Sequence, residues 1–584
     1  MSDALFPHPI YAAAQNLLAG DRLVLPACTF DEPLVLNGLR GSAEKPIVIE
    51  GRLKGLLPEP NAAKRAGGPD SVFQAWPLGK EAARMTCLAN FGTVFGHRIS
   101  ECEAREQANR ASKRREEGGQ YPVPSWLHDQ AMVMLINCRH VVLRNIAFDE
   151  CWPTAIYLED CQNIALDHIG FGGTTLCIGA NGGDTKDLLI QNCRWKQSDA
   201  MFGDGEANWQ RIHGSSDNNS DYMGVDVDND FRHLDGDFFR GWNIFGNVVF
   251  RRNWVTKCFN AIHFFTNGVS SESGALDALS ATNVLIEDNV FYKVRDNCIE
   301  PEDYARNWVV RHNRFDDCYA PFSLDVQRLG SLYIYGNAGV MEEKAFTSKE
   351  TSNKSPRLWK LGGPQRHFAP SYVMHNSWRL KNRALAKRIF GGLRHFNNAI
   401  SFKEMRDVLG KIGGGGLFGG TSRKWKKSLG DGTYQEALDA TSFTRRWPDF
   451  DIVVNGDYTN DWFTEKFSGT SRSLYQHLGY DLGGLMTYSP RVFDGATEKP
   501  EKPNAEPFKL HASGLTATLV NMPVELPKWF ARDEAPCMVL RPGDRPGVIQ
   551  SDGNLYGEGW EFGFLPDFSY LNTVLETAPR MDSD

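Results

Sequence analysis

An acidic run in the middle of the chain carries residues suited to acid–base chemistry. It spans Asp226 to Asp237, and Asp228 and Asp230 stand at alternate positions within it. Cleavage of a glycosidic bond needs one carboxyl group protonated as the acid and another ionised as the base or nucleophile, and crowding of carboxyl groups separates their pKa values. Asp228 and Asp230 are therefore candidate catalytic residues.

A second set of candidates follows a recurring asparagine. Residues ten to thirteen positions after each such asparagine are predicted to fall on one sheet of successive coils, about one strand spacing apart. His263, Glu300 and Ser323 then form a line, and Asp296 lies on a parallel line. Glu300 or Asp296 is a candidate to work with an acid from the acidic run, and His263 is a candidate to orient or shuttle a proton.

Other side chains near these positions are suited to holding a sugar. Flat aromatic rings match the apolar faces of sugar rings, and polar or cationic groups match hydroxyl and carboxylate groups. The candidates for substrate binding are Trp209, Trp242, Asp204, Glu302, Asp325, Arg295 and Lys257. Together with the catalytic candidates, they predict a groove on the outer face of one sheet.

Alternative readings of these acids stay open. Asp226, Asp228 and Asp230 begin like an EF-hand loop, but Phe231 stands where that loop needs Gly, and Asp237 stands where it needs Glu. A looser calcium site made of carboxylates remains an alternative, as does a solvated acidic loop, although the proposed chemistry requires no cofactor. For the line of Glu300 and Asp325, the alternative is a surface ladder of salt bridges with Arg295, Arg311 and Arg328.

A repeated segment defines the elements that would position these residues. Short apolar strands break at a polar turn, and successive turns within each of two groups are 23 or 24 residues apart. The turns lie around Asn145, His168 and Asn192 and around Asn289, Asn313 and Asn337. Asn tolerates the left-handed geometry of such turns. Because one coil cannot bury its own apolar face, neighbouring coils must stack, and the sequence predicts an all-β solenoid of parallel strands.

Breaks in this rhythm predict the domain organisation. The solenoid occupies residues 1–497, with a cap helix near Ala12 to Leu18 and insertions at 54–128, 204–240 and 344–427. Residues 498–506 are predicted to form a linker, and residues 507–584 a small C-terminal β-rich segment.

Composition excludes several classes of protein. The chain is 41% hydrophobic and 23% charged, and no apolar run approaches the length that spans a bilayer, so no membrane partner is expected. No signal peptide is visible, so a cytoplasmic protein, or one exported with its leader removed, is expected. The 12 cysteines include no CxxC pair, which favours reduced core cysteines over disulfides or a metal site.

The charge of the chain is unevenly distributed. Residues 344–427 hold 19 Lys or Arg and three acids, a net charge of +16 in a chain whose net charge is −8. A basic flank of this kind suits an acidic polysaccharide, and a solvated insertion is the alternative. No nucleic-acid-binding motif accompanies it, so no nucleic-acid partner is expected. The oligomeric state stays open.

The opening of the chain resembles a known group of proteins. Gly20-Asp21-Arg22-Leu23-Val24-Leu25 and the phrase from Gly41 to Ile49 are similar to the entry coil of alginate-lyase-like and chondroitinase-B-like proteins. With the coil and its Asn turns, the chain resembles the pectate-lyase-like superfamily over roughly residues 20–490. This resemblance implies a right-handed parallel β-helix. The superfamily includes lyases, glycoside hydrolases, epimerases, tailspikes and adhesins, so function depends on the site.

These observations favour an enzyme that cleaves glycosidic bonds of a polysaccharide or oligosaccharide on the outer face of the β-helix. Hydrolysis is the favoured reaction, because carboxylates outnumber plausible bases on the predicted face. A polysaccharide lyase acting by β-elimination on a uronate polymer is the first alternative. Its candidate bases and cations are Lys257, His263, Arg295 and Tyr304. A non-catalytic carbohydrate-binding or structural β-helix is the second alternative.

Overall fold

The computed structural model describes 23 stretches of the chain, which fall into two compact units divided after His263. The described residues are 9–30, 33–51, 72–74, 131–149, 151, 154–172, 176–196, 237–258, 260–265, 281–294, 297–301, 304–324, 328–329, 332–341, 358–361, 366–367, 371–374, 376–380, 393–396, 398–402, 451–454, 485–487 and 568. The first unit contains the described residues up to His263 together with Phe568, and the second contains those from Phe264 to Thr487.

The first unit begins with a short helix and continues in short strands. Its elements are α1 (Pro9–Ala14), β1 (Arg22–Val24), β2 (Thr29–Phe30), β3 (Leu34–Asn37), β4 (Ile47–Glu50), β5 (Val72–Gln74), β6 (Ala131–Ile136), β7 (Arg139–Arg144), β8 (Ala147–Asp149), β9 (Thr154–Glu159), β10 (Gln162–Asp167), β11 (Gly170–Gly172), β12 (Leu176–Asn181), β13 (Lys186–Gln191), β14 (Arg194–Lys196), β15 (Asp237–Trp242), β16 (Gly246–Arg251), β17 (Trp254–Thr256) and β18 (Asn260–Phe265), whose last two residues belong to the second unit.

Every third strand of the first unit joins the same parallel sheet. Sheet A has the order β1-β4-β7-β10-β13-β16, sheet B the order β2-β5-β8-β11-β14-β17, and sheet C the order β3-β6-β9-β12-β15-β18. Ile164 pairs with Val141 of the preceding coil and Leu188 of the next, so like residues stack in columns. Phe148 and Phe171 stack inside the coil with ring centroids 5.6 Å apart. Stacking therefore buries the face that one coil cannot bury alone.

The second unit repeats this arrangement. Its elements are β19 (Thr282–Glu287), β20 (Val290–Tyr292), β21 (Asn297–Pro301), β22 (Tyr304–Arg311), β23 (Arg314–Asp316), β24 (Ala320–Leu324), β25 (Arg328–Leu329), β26 (Leu332–Tyr335), β27 (Ala338–Met341), β28 (Trp359–Leu361), β29 (Arg366–His367), β30 (Ser371–Met374), β31 (Ser377–Leu380), β32 (Leu393–Phe396), β33 (Asn398–Phe402), β34 (Asp451–Val454) and β35 (Leu485–Thr487).

Three parallel sheets again result. Sheet A′ has the order β19-β22-β26-β30-β32, sheet B′ the order β20-β23-β27-β31-β33-β34-β35, and sheet C′ the order β21-β24-β28; β25 pairs with β22 and β29. In the core, Phe291 stacks on Phe315 at 5.1 Å. The predicted all-β, right-handed parallel β-helix is confirmed as the fold class, since parallel strands joined by short crossovers take the right-handed sense. No helix among the described residues is long and apolar enough to cross a membrane.

The left-handed residue of the turn stands at different positions in the two groups of turns. In the first unit, Asn145, His168 and Asn192 have φ between 53° and 56°, as the sequence predicts. In the second unit the left-handed residue comes one position earlier than predicted: it is Asp288, His312 or Gly336, directly before the recurring asparagine. In the second unit the predicted position of the left-handed residue was therefore wrong by one residue.

The asparagines of the second unit form a buried ladder instead. The Asn313 Oδ1 atom accepts from the backbone N–H of Asn289 at 3.0 Å and from its Nδ2 at 2.9 Å. Asn313 Nδ2 donates to the backbone oxygens of Ile286 and Arg311 and to Asn337 Oδ1. Asn337 repeats the pattern with Asn376. Each amide thus satisfies backbone groups that the turn would leave unpaired.

We expect Asn313→Ala to lower the free energy of unfolding by about 2–3 kcal/mol, because it leaves several buried donors and acceptors without partners. Urea unfolding measures the change. Asn307→Gly is the control: it removes the 2.7 Å hydrogen bond that this half-buried amide donates to Asn283, at a φ of 50° that glycine adopts without strain, and should cost only about 1 kcal/mol. Equal losses for the two variants would contradict the ladder's role.

The structure also shows where the predicted boundaries differ. The helix is Pro9–Ala14, earlier than the predicted Ala12 to Leu18. Strand β5 lies within the predicted insertion 54–128, and β15 begins at Asp237, inside the last residues of the predicted insertion 204–240. Strands β28 to β33 lie within 344–427. The linker 498–506 and, apart from Phe568, the segment 507–584 lie outside the described residues. The described cysteines are free thiols.

Candidate active site

Polar residues occupy the outer face of sheet C late in the first unit. The fourth residues of β9, β12 and β15, which are Tyr157, Gly179 and Arg240, pair in register as one column. Phe239 packs inward on Phe250 of sheet A at 4.9 Å, and since neighbouring residues of a strand point to opposite faces, Arg240 points outward. The column thus changes from uncharged residues to a cation at β15.

Arg240 belongs to a buried charged group that we name the first cluster: Asp237, Arg240, Trp242 and His263. Arg240 Nε donates to Asp237 Oδ2, and His263 Nδ1 lies 3.3 Å from the same oxygen. Asp237 is 0% exposed, Arg240 5% and His263 6%. The Arg240 guanidinium lies 5.9 Å from the centre of the Trp242 ring. An ion pair and an imidazole are therefore enclosed together.

The electrostatics of the first cluster favour an ionised Asp237. Burial raises the pKa of this carboxyl, but the positive charge of Arg240 and the contact with His263 outweigh burial, so the pKa lies below its usual value. An ionised carboxylate only accepts hydrogen bonds, so His263 donates to Asp237 through Nδ1–H. The contact fixes the orientation of an imidazole beside a buried cation.

The rings of Trp242 and Tyr157 both lie close to Gly179. A Cβ atom at Gly179 would lie 2.9 Å from Cδ2 of Tyr157 and 3.3 Å from Cζ3 of Trp242. Gly179 is thus the residue that lets both rings approach the sheet. Trp242 is a predicted substrate-binding residue, and the structure places it, buried, beside Arg240.

The second unit carries its own polar group on sheet C′, the second cluster: Asn297, Glu300, Ser323 and Lys360. Ile299 pairs with Phe322 and Ser323 pairs with Lys360, so Glu300, Ser323 and Lys360 form one column. Phe322 packs inward against rings of sheet B′, which places its neighbour Ser323 and the column on the outer face.

Glu300 is the centre of the second cluster. Asn297 Nδ2 donates to Glu300 Oε1 at 2.7 Å, and Lys360 Nζ lies 3.3 Å from the same oxygen. Glu300 is 4% exposed, whereas the Lys360 side chain is 31% exposed. A carboxylate is therefore held on the outer face by an amide and a cation from two different strands.

Only some of the predicted site residues lie in the part of the chain that the structure describes. His263 and Trp242 lie in the first cluster and Glu300 in the second, whereas Lys257, with φ 54°, follows the sheet B strand β17. Asp204, Trp209, Asp228, Asp230, Arg295, Asp296, Glu302 and Asp325 lie outside the described residues. Among the residues that the structure does describe, no group of three or more His, Cys, Asp or Glu could hold a metal ion.

Sequence reasoning did not single out Arg240, Asn297 or Lys360. Asp237 was considered only as the end of an acidic loop, although Asp237–Trp242 is a strand. The alternation of Phe239 and Gly241 with Arg240 and Trp242 could have placed Arg240 on the outer face. No such signal connects Lys360 with Glu300, which lies 60 residues away.

Comparison with known proteins gives structural likenesses alone. No protein-family model matches the sequence. No curated protein matches it either. The predicted resemblance to pectate-lyase-like proteins is confirmed at the level of the β-helical fold, by the parallel sheets of each unit.

Three solved structures illustrate that likeness. A family 28 exopolygalacturonase from Yersinia enterocolitica is 12% identical, with 69% of this chain and 72% of that chain covered and a TM-score of 0.31. A mannuronic-acid-specific polysaccharide family 6 lyase from human gut microbiota is 11% identical, with 68% and 86% covered and a TM-score of 0.32. The Dettilon tailspike protein is 11% identical, with 69% and 64% covered and a TM-score of 0.33. These values assign no activity to the chain.

Proposed function

We propose that this protein is an enzyme that cleaves glycosidic bonds of a polysaccharide or oligosaccharide bound on the outer face of its β-helix. The observation that carries the proposal is the burial of ionisable side chains at outward positions: Arg240 and His263 in the first unit and Glu300 in the second. Enclosing charges is costly, and apolar residues of similar volume would stabilise a solenoid as well or better. Clusters of this kind favour a functional site.

Hydrolysis is the reaction that we propose first, with Glu300 as a reacting carboxylate. A glycosidase uses a carboxylate as base or nucleophile and a second carboxyl group as acid. Glu300 is proposed as the carboxylate that acts as base or nucleophile. Its contacts with Asn297 and Lys360 fix one of its two carboxylate oxygens. The second carboxyl group is proposed to be Asp296, a candidate from the sequence that belongs to the same unit as Glu300 and lies outside the described residues.

β-Elimination is the second candidate, and the first cluster is the observation that favours it. A lyase removes the C5 proton next to a uronate carboxylate, whose charge a cation neutralises. The C4–O bond then breaks as the C4–C5 double bond forms, and the leaving sugar oxygen takes up a proton from water or from a protonated side chain. His263, oriented by Asp237, would accept the proton at Nε2, and Arg240 would offset the negative charge. The proposed substrate in this case is a uronate-containing polymer.

A panel of neutral and uronate-containing polysaccharides tests the proposed function and separates the two reactions. Reducing ends and the ultraviolet absorbance of an unsaturated uronate are followed together. Reducing ends without absorbance support hydrolysis, and both signals together support elimination. Binding of a polysaccharide without either signal would overturn the proposal and indicate a non-catalytic carbohydrate-binding protein.

A further inference from the structure

Asn297 contacts Glu300 from within the same strand. It is the first residue of β21, and Glu300 is the fourth, yet the two side chains meet at 2.7 Å. In the first unit the first and fourth residues of β15, Asp237 and Arg240, meet in the same way. The start of each of these strands thus supplies a partner for the outward residue three positions later. Asn297 is 0% exposed, so its amide is confined to this contact region.

Lys360 approaches Glu300 from the opposite direction along the sheet. It lies on β28, two strands from β21, which corresponds to about 10 Å between Cα atoms. The lysine and glutamate side chains together cover that span across Ser323, and the ammonium comes to 3.3 Å from Glu300 Oε1. Ser323 is completely buried and small, which leaves room for the lysine to pass.

The amide and the ammonium meet the same oxygen from two strands. Each contact restricts rotation of the carboxylate about its terminal bond, and the two together hold Oε1 from two directions. We propose that Asn297 and Lys360 are positioning residues that hold the Glu300 carboxylate in its reactive orientation; this inference rests on the proposed function. Positioning of this kind affects the rate more than substrate affinity, since displacement by about 1 Å can cost about 100-fold in rate.

The test compares kcat and KM of the full chain in Asn297→Ala, Lys360→Met and Lys360→Arg. We expect the first two to lower kcat by about 10-fold to 100-fold with KM changed less than about threefold, and Lys360→Arg to restore most of kcat. Two changes elsewhere in the second unit serve as controls and should leave kcat near that of the wild type. Asn307→Ala removes a hydrogen bond of 2.7 Å from a side-chain amide, the same length as that between Asn297 and Glu300. Arg314→Met removes a cation paired with Asp316 at 2.6 Å.

Several outcomes would overturn the inference. They are unchanged kcat in both variants, a rise in KM alone, equal losses in the controls, or no recovery with Lys360→Arg. If Glu300→Gln abolishes activity while Asn297→Ala and Lys360→Met keep it, positioning fails and the proposed function stands. If Glu300→Gln is fully active, the proposed function of Glu300 fails.

A measurement without substrate keeps the inference testable in every case. Crystal structures of the wild type, Asn297→Ala and Lys360→Met should show the Glu300 carboxylate ordered in the wild type and rotated in both variants. The same carboxylate orientation in all three structures would refute positioning, whatever the substrate.

Discussion

Glu300→Gln should slow glycosidic-bond cleavage by about 10²-fold to 10⁴-fold, the range that general acid–base groups contribute. Gln keeps the volume of Glu and can still accept from Asn297, but it can neither take up a proton nor attack as a nucleophile. The free energy of unfolding should therefore change little compared with the loss of activity. Initial rates of reducing-end release at saturating substrate give the effect on kcat.

Glu287→Gln is the matched control for that result. Glu287 is also a paired carboxylate of the second unit, bonded to Arg311 at 2.7 Å, but it belongs to sheet A′. The same chemical change there should leave kcat within about twofold of the wild type, because Glu287 stands on a different sheet from the proposed reacting carboxylate. Full activity in Glu300→Gln, or equal losses in both variants, would exclude Glu300 as the reacting carboxylate.

Asp237→Asn should lower the free energy of unfolding by about 3–5 kcal/mol, the usual cost of breaking a buried ion pair. The change removes the negative charge that faces Arg240 and His263, both almost completely buried. Chemical denaturation near neutral pH measures the loss. Asp187→Asn is the control. This half-buried carboxylate accepts a hydrogen bond from the side-chain amide of Asn247 at 2.9 Å, and loss of the Asp187 charge should cost less than about 1 kcal/mol.

The difference in unfolding free energy between the wild type and Asp237→Asn depends on pH. The pKa of Asp237 is lower in the folded protein than its usual value of about 3.8, so the ionised form favours folding. That contribution is fully present above about pH 4 and is lost as pH falls through the folded-state pKa. The stability difference between wild type and Asp237→Asn should thus shrink on acidification below about pH 4. A difference that grows with acidification would contradict the ion pair's role.

Much of the fold could be predicted because stacking repeats a local pattern. Short apolar strands spaced 23 or 24 residues apart identified the coils, and Ile164 with Val141 and Leu188 shows the column that this spacing produces. The turns were harder, since an asparagine after an apolar strand suits either a left-handed turn or an internal amide ladder. Asn192 takes the first role and Asn313 the second, and the choice depends on the neighbouring coils.

The candidate site was less predictable because insertions interrupt the spacing. His263 contacts Asp237 26 residues before it, close to one coil length, but Asp237 was assigned to the insertion rather than to a strand. Lys360 reaches Glu300 over 60 residues, a separation that no repeat in the sequence indicates. Glu300 itself was predicted, because its distance from a recurring asparagine placed it on an outward position.

The location of a bound oligosaccharide tests the central claim most directly. A crystal structure of Glu300→Gln with an oligosaccharide of the cleaved polymer should show the sugar on the outer face of sheet C′. A glycosidic oxygen or anomeric carbon should then lie within about 3–3.5 Å of the side-chain amide that replaces the Glu300 carboxylate. Sugar bound only along sheets A or B, or their counterparts in the second unit, would contradict the proposed active site.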